Sequence, residues 1–280
     1  MVKQAMPASI AALFLVFTEN GMRIRMDEPD MVKSAARALY VFDLFYEQRR
    51  PLSVMEIARG VSAPQSSVSE IVKCLVKLGY LTHDSEARTY FPSLRLGLVG
   101  EWLNETIFAP GGIRKLMREL HEATGDTVML TTRKDIFLEA LDVIHGSHAP
   151  DRDAKRGQRR TVTRSAMGHL LLSSYDDAFI DLLVRRINAT EPRPERRVPL
   201  TSLWPIIEEY RAQGYAYAEN VTIEGTTLVG MVLPTRAQTE PLVIGLAGPT
   251  ERVRAGREQR VSLLRDAFRR HLGPELPGAF

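Results

Sequence analysis

The sequence predicts an α+β protein of two domains: a small three-helix unit closed by a β-hairpin, then a larger sheet covered by helices. Three observations lead there. The chain has 280 residues, close to twice the roughly 150 residues typical of one domain. Between Lys33 and Phe91 apolar residues recur at helical spacing three times and then switch to alternation. Beyond residue 110 strand-like and helix-like runs follow one another without strict alternation, which favours a helix-covered sheet over a doubly wound one.

Composition narrows the function classes. Apolar residues make up 44% and charged residues 25%, the profile of an ordinary soluble domain and not of a disordered, collagenous or many-helix membrane protein. A lone cysteine, Cys74, excludes an internal disulfide and a cysteine-built zinc cage, and it suits the reducing cytoplasm. Lysine plus arginine number 37 against 34 acids, a weak hint of a polyanionic partner. Residues 1–108 hold 12 basic and 12 acidic side chains, so net charge does not single out a nucleic-acid-binding half.

Residues 1–30 stand apart. Ala8–Phe17 is apolar but too short for the roughly 20 residues of a membrane span, and no small-residue cleavage site follows. The expectation is a leader outside the fold, disordered or mis-started. A short helix packed on the body is the alternative.

The small unit, residues 31–92, opens on a helix over 32–48 with Ala35, Leu39, Phe42 and Tyr46 in one stripe. Ser53-Val54-Met55-Glu56 is a capping box that starts a second helix, with Gly60 suited to its end. Ser62-Ala63-Pro64-Gln65 reads as another capping box. It starts a third helix, with Val68, Ile71, Val72, Leu75 and Leu78 inward and Cys74 at the edge of that face. Two short amphipathic helices joined by a tight turn are a helix-turn-helix. Tyr80–His83 and Arg88–Phe91 around Asp84–Ala87 add a hairpin wing. Such a third helix enters the DNA major groove, and small polar side chains let its backbone approach. Its outward residues Gln65, Ser66, Ser69 and Lys73 are the candidate readers. Ser53 and Ser67 are candidate phosphate contacts, and Arg88 on the wing completes the set. Glu70 either accepts from cytosine N4 or faces solvent.

At this point the residues resemble the IclR-type bacterial transcriptional regulators. The resemblance is carried by Lys33–Leu39, Pro51–Ala58, Val68–Leu81, Thr163–Leu172, Arg211–Ala216 and Gly245–Pro249, in that order and spacing. It implies a linker helix over residues 93–109 and a GAF-like α/β effector-binding domain over 110–280. It also implies dimers or tetramers on palindromic operator DNA. The family often has a basic residue where this chain has Gln65 and an arginine where it has Glu70.

The second half, read on its own, starts with the linker helix. Leu94, Leu98, Trp102 and Leu103 anchor it, and Gly97 and Gly100 weaken it by up to ~1 kcal/mol each. A helix follows with Ile113, Leu116, Met117 and Leu120 inward, then strands over 127–132 and 135–144. His145–Arg160 is polar and basic and reads as a solvated loop. His145 and His148 are a weak metal pair. A strand over Arg160–Arg164 is predicted, with Val162 inward. Helices over 165–174, 176–187 and 201–213 and strands over 215–219, 226–235 and 242–247 follow. One terminal helix begins at Thr250 or Glu251. Asp176-Asp177 fits a helix start.

No Gly-x-Ser-x-Gly, phosphate loop or His-Glu-x-x-His occurs in the sequence. No catalytic, metal or cofactor residue is therefore nominated. The resemblance implies an effector pocket lined by Ser165 and Ala166 at a helix start, Glu219 and Asn220 after a strand, and Leu228, Gly245 and Ala247 on two strands. Where the family often has an acidic run, this chain has Ala218–Val221. Where it often has serine-x-serine, this chain has Gly245-Leu246-Ala247. Fewer fixed donors disfavour a small, strongly hydrated anion and predict a larger, more apolar effector, such as an aromatic acid. The function expected is a cytoplasmic, effector-responsive transcription regulator. A small-molecule enzyme or an interaction scaffold carrying a winged helix is the alternative.

Overall fold

The computed structural model describes residues 32–107, 112–147, 154–234 and 240–272, with side chains left undescribed from 102 to 107. The leader, the Trp102 and Leu103 side chains, Pro110, Gly111 and His148 lie outside the described parts. The chain divides into two compact units, Met1–Glu101 and Trp102–Phe280.

In the first unit, α1 (Lys33–Gln48), α2 (Val54–Gly60) and α3 (Gln65–Lys77) pack round Val41, Phe45, Ile57, Val68 and Val72. A three-stranded antiparallel sheet, β1 (Leu52–Ser53), β2 (Leu81–Asp84) and β3 (Thr89–Pro92), closes it in the order β1-β3-β2. This is a winged helix-turn-helix. α4 (Leu94–Ile107) follows the wing.

Several details differ from the sequence reading. α1 buries Ala36, Val41 and Phe45, while Leu39 of the expected stripe is 66% exposed. At the start of α3 the expected second capping box is not made: the N-cap is Pro64, with no side-chain cap. Ser62 instead takes a left-handed φ of 51°, and the amides of Ser62 and Ala63 bond back to Arg59 and Ala58. Ser62 therefore terminates α2 and does not cap α3. Gly60 packs against Leu44, whose Cδ2 would lie 2.5 Å from an added Cβ. Leu78 is 53% exposed and Cys74 is exposed.

The second unit starts with α5 (Gly112–Thr124), β4 (Thr127–Lys134), β5 (Phe137–Ile144) and β6 (Arg159–Thr161). α6 (Ala166–Leu172), α7 (Asp177–Thr190) and α8 (Leu200–Gln213) follow, and then β7 (Ala216–Glu219), β8 (Thr226–Leu233) and β9 (Leu242–Pro249). α9 (Thr250–Ala255) and α10 (Arg257–Leu272) end it. The six strands form one sheet in the order β6-β5-β4-β9-β8-β7, antiparallel throughout. Strand side chains alternate between faces, so each face builds its own core. Val128, Leu130, Val229, Met231 and Leu246 pack with α5, α9 and α10. Leu138, Leu228, Val243, Ala216 and Ala218 pack with α6, α7 and α8.

Two further corrections concern the second unit. β6 stops at Thr161 and a 3-10 turn, Val162–Arg164, carries Val162 into the core. The terminal helix is broken at Gly256, which separates α9 from α10.

Candidate functional site

Two regions carry the candidate chemistry. On α3, Ser66, Glu70 and Lys73 are exposed and Ser69 is half-buried, on the side away from Val68, Val72 and Leu75, and Gln65 is exposed at the first position of the helix. Lys73 Nζ lies 3.1 Å from Glu70 Oε1, so the one cation of this group is tethered to the one acid. Ser67 is engaged on its own protein, since Arg37 Nη1 donates to Ser67 Oγ at 3.1 Å. That bond ties α1 to α3.

Ser53 is engaged too. Its Oγ accepts from the Glu56 amide at 3.3 Å, and its own amide donates to Glu56 Oε2 at 2.8 Å, completing the capping box. The Ser53 backbone and side-chain bonds, followed by the bond from Arg50, hold the Glu56 carboxyl down at about 2. Arg88 sits exposed at the wing with a left-handed φ of 52°. Asp84 Oδ1 orders that turn by accepting from the amides of Glu86 and Ala87.

The second region is a cavity on the α6 side of the sheet, with an empty space of about 810 Å³, its mouth included. Its wall draws on all six strands and the start of α6. Met129, Leu138, Ala140, Met167, Leu228 and Ala247 make it largely apolar.

Four of the seven effector-pocket candidates meet there: Ser165, Ala166, Leu228 and Ala247. Ser165 caps α6, its Oγ accepting from the Gly168 amide at 3.0 Å. The Ala166 amide donates to Thr222 Oγ1 at 3.3 Å. Glu219, Asn220 and Gly245 are not brought to the wall. Glu219 lies on the alternate side of β7, bound by Arg254 at 2.7 Å. That bond, with one from the Tyr217 hydroxyl, holds its carboxyl at about 2. Asn220 builds the β7–β8 turn in a left-handed conformation, its Oδ1 accepting from the Gly225 amide at 2.7 Å. Gly245 is covered by Met167, whose sulfur occupies the place a Cβ would take. Only Ala247 therefore adds room to the cavity.

Sequence reasoning missed Ala154, Gln158 and Arg160, which the basic loop folds against the cavity. A signal for Arg160 existed. In a strand leading to Val162, Arg160 lies two residues earlier and so on the same face as that buried valine. The register agrees: Arg160 pairs with Leu138 on the cavity side, while Arg159 pairs with Glu139 on the other, where their side chains bond at 2.7 Å. Thr131 and Thr226 were also missed. Both line the cavity, and neither buried hydroxyl has a hydrogen-bond partner among the described residues.

The arrangement of a groove-reading helix in one unit and an apolar cavity in the other matches what known proteins show. The IclR helix-turn-helix domain model matches residues 34–85, and the model of the bacterial transcriptional regulator IclR C-terminal region matches residues 112–270. The chain belongs to the IclR family. It is a DNA-binding transcriptional regulator of two domains. Among its relatives, the Pca regulon regulatory protein of Pseudomonas putida is 26% identical over 232 residues, covering 79% of this chain and 76% of that protein. The effector domain of an IclR regulator from Acinetobacter sp. ADP1 is 27% identical with a TM-score of 0.51, covering 64% of this chain and 97% of that one. An IclR homolog from Microbacterium hydrocarbonoxydans, solved with 4-hydroxybenzoate, is 18% identical with a TM-score of 0.54, covering 84% and 95%. Among the described residues no helix is long and apolar enough to cross a membrane, and no group of acids, histidines and cysteine is set to hold a metal.

Proposed function

We propose that this IclR-family regulator binds a palindromic operator as a dimer or tetramer, and that an aromatic acid or a related apolar acid in the α6-side cavity sets its operator affinity. The protein works by binding and not by turnover, in the cytoplasm. The observation that carries the effector assignment is the cavity itself, lined mainly by apolar side chains and reached by few polar groups. A small anion with several carboxylates would lose its water there without enough replacement partners. The neighbour that holds 4-hydroxybenzoate supports the same ligand class.

The DNA-reading assignment rests on the exposed face of α3, with Gln65, Ser66, Ser69, Glu70 and Lys73. Ser53 and Ser67 position that helix on phosphate, and Arg88 reaches from the wing. One winged helix reads few base pairs, and two-fold dimers match half-sites about one helical turn or a multiple apart. Leu39 at 66% and Leu94 at 79% exposure give α1 and α4 the apolar surface for that pairing. The effector acts by binding one arrangement of the regulator better than another, so operator and effector affinities are reciprocally linked.

The test uses full-length protein and genomic fragments that it selects. Lys73→Ala is expected to weaken all sequences alike and flatten the salt slope by about one unit if Lys73 contacts phosphate. A loss of about 1–3 kcal/mol at one base position is expected if it reads guanine. Unchanged affinity with an unchanged slope removes Lys73 from the interface. In calorimetry, aromatic acids should bind and small keto acids should not. Ala247→Phe should abolish the effector response and leave operator binding intact. Light scattering of a monomer that still binds operator tightly would defeat the dimer.

A further inference from the structure

One basic side chain of the first unit stands apart from the rest. Among the described residues 32–101, Arg37 on α1 is the one lysine or arginine that is half-buried, and the others are exposed. Several of those have a counter-group: Lys73 pairs with Glu70, Arg50 with Glu56, and Arg49 lies over the Tyr46 ring. Among the described residues Arg37 has neither an acid nor a ring. Its Nη1 donates to Ser67 Oγ at 3.1 Å, a neutral hydroxyl, and its Nε is buried with no partner among the described residues. Taking a guanidinium partly out of water without an acid beside it costs stability. The bond to Ser67 holds the group in place and leaves its charge unneutralised.

Its place says which anion fits. Ser67 is the third residue of α3, within the first turn of that helix. The N-terminal residues of a recognition helix contact base edges in the major groove. Arg37 comes to the same turn from α1, so it stands beside the reading helix and not on its reading face. A cation in that position meets the sugar–phosphate wall of the groove, where contacts set register and carry no sequence information. α3 also opens without a side-chain cap, so its first-turn amides leave that end favourable to negative charge. Ser67 suits the same anion, because a hydroxyl that accepts from Arg37 still has its proton to donate.

Resting on the reading of α3 as the helix that enters the groove, we propose that Arg37 and Ser67 form one seat for an operator phosphate, with Arg37 carrying the charge and Ser67 holding the guanidinium in position. The fork of Arg37 bonds the phosphate oxygens through its terminal nitrogens, as charge-assisted bonds, and the contact releases a condensed counterion. Lys73 has to leave Glu70 to reach DNA, whereas Arg37 leaves no acid behind among the described residues. The seat fixes how the first turn of α3 is presented to the bases, and it does so on any sequence.

Fluorescence anisotropy over a potassium chloride series tests this, with the full-length protein, a genomic fragment that it selects and a scrambled fragment. Arg37→Gln should bind both fragments about tenfold more weakly, and its salt slope should flatten by about 0.9. Arg37→Lys keeps the charge, so it should recover the slope while affinity returns only in part, which separates a lost charge from a lost fold. Ser67→Ala removes no charge, so it should weaken binding and leave the slope in place. An unchanged slope in Arg37→Gln overturns the seat, because the guanidinium is then neutralised within the protein or lies off the DNA. Equal losses in all three variants at an unchanged slope reduce the pair to a tie between α1 and α3. A loss confined to the selected fragment makes Arg37 a base reader and overturns the backbone assignment. Undiminished affinity in alanine variants of Gln65, Ser66, Ser69 and Lys73 overturns the reading of α3 beneath the proposal.

Discussion

The two faces of the six-stranded sheet are built from the same strands and end up doing opposite things. On the α5, α9 and α10 side, the deepest polar side chains are bonded to one another. Asp126 is completely buried, and Arg260 Nε bonds it at 2.6 Å while Arg252 bonds it at 2.9 Å. Thr227 Oγ1, on the same face of β8 as Val229, donates to Thr250 Oγ1 at 3.0 Å. On the α6 side the hydroxyls of Thr131 and Thr226 are left without partners among the described residues, and an open volume stands over them. Buried polar groups are ordinarily satisfied. A face that satisfies them serves stability, and a face that leaves them waiting serves a ligand.

That contrast can be broken most forcefully at Asp126. Asp126→Ala leaves the Arg260 guanidinium buried beside the sheet without its acid, and removing one partner of a buried pair costs about 3–5 kcal/mol. Urea denaturation of the full chain is expected to show that loss. A loss below about 1 kcal/mol would mean that water reaches Arg260 and that this face is less closed than its geometry. On the other face the largest expected effect is steric. A Cβ on Gly168 would drive into the Val162 carbonyl oxygen and crowd Ser165 Oγ at 2.8 Å. Gly168→Ala should therefore cost about 1–3 kcal/mol and weaken effector binding with it, since Ser165 caps the helix at the cavity wall.

These two faces also differ in how far the sequence discloses them. Local patterns were legible. Ser53 and Glu56, three residues apart, form the capping box their spacing implies. The apolar stripe Leu116, Met117 and Leu120 is buried on α5, and Asp176 caps α7. Ser62 shows the limit of such signals. A serine followed three residues later by glutamine fits a helix start, but the same serine, just past the end of a short helix, closes that helix in a left-handed turn instead. Non-local placement was legible only through register. Gly245 and Ala247 look equivalent in sequence, two residues apart on one face. Met167 from α6 covers the first, while the second faces the cavity. Arg160 lay in a run of basic residues that suggested solvent, and only its pairing with Leu138 turns it inward.

A pH titration sharpens the contrast further. His169 on α6 is buried, with Nε2 2.9 Å from the Thr163 carbonyl oxygen. Burial pushes its pKa below the ordinary 6.5, and the bond to Thr163 offsets only part of that. The folded state therefore binds fewer protons than the unfolded chain below pH 6.5. The stability is complete above that pH and falls as pH drops from 6.5 towards the lowered folded value. Melting temperature followed from pH 7.5 downward should decline in that window, and His169→Gln, uncharged throughout, should flatten the decline. An equal decline in the variant would assign the effect to other groups.

The smallest expected change is the most diagnostic. Thr131→Val swaps the orphaned hydroxyl for a methyl group of the same shape. Removing a buried polar group that has no partner relieves its desolvation cost, so the effector-free protein should be unchanged or stabilised by up to about 1 kcal/mol. The control is Thr127→Val on the same strand, which strips the Gly146 amide of its acceptor and should cost about 1 kcal/mol. Opposite signs from one substitution at two threonines, four residues apart, would mark Thr131 as held for something other than folding. Calorimetry with aromatic acids should then show Thr131→Val weakening binding. If Thr131→Val destabilises the effector-free protein as much as Thr127→Val does, its hydroxyl already has a partner, such as an ordered water. The α6 face would then be as fully satisfied as the face behind it.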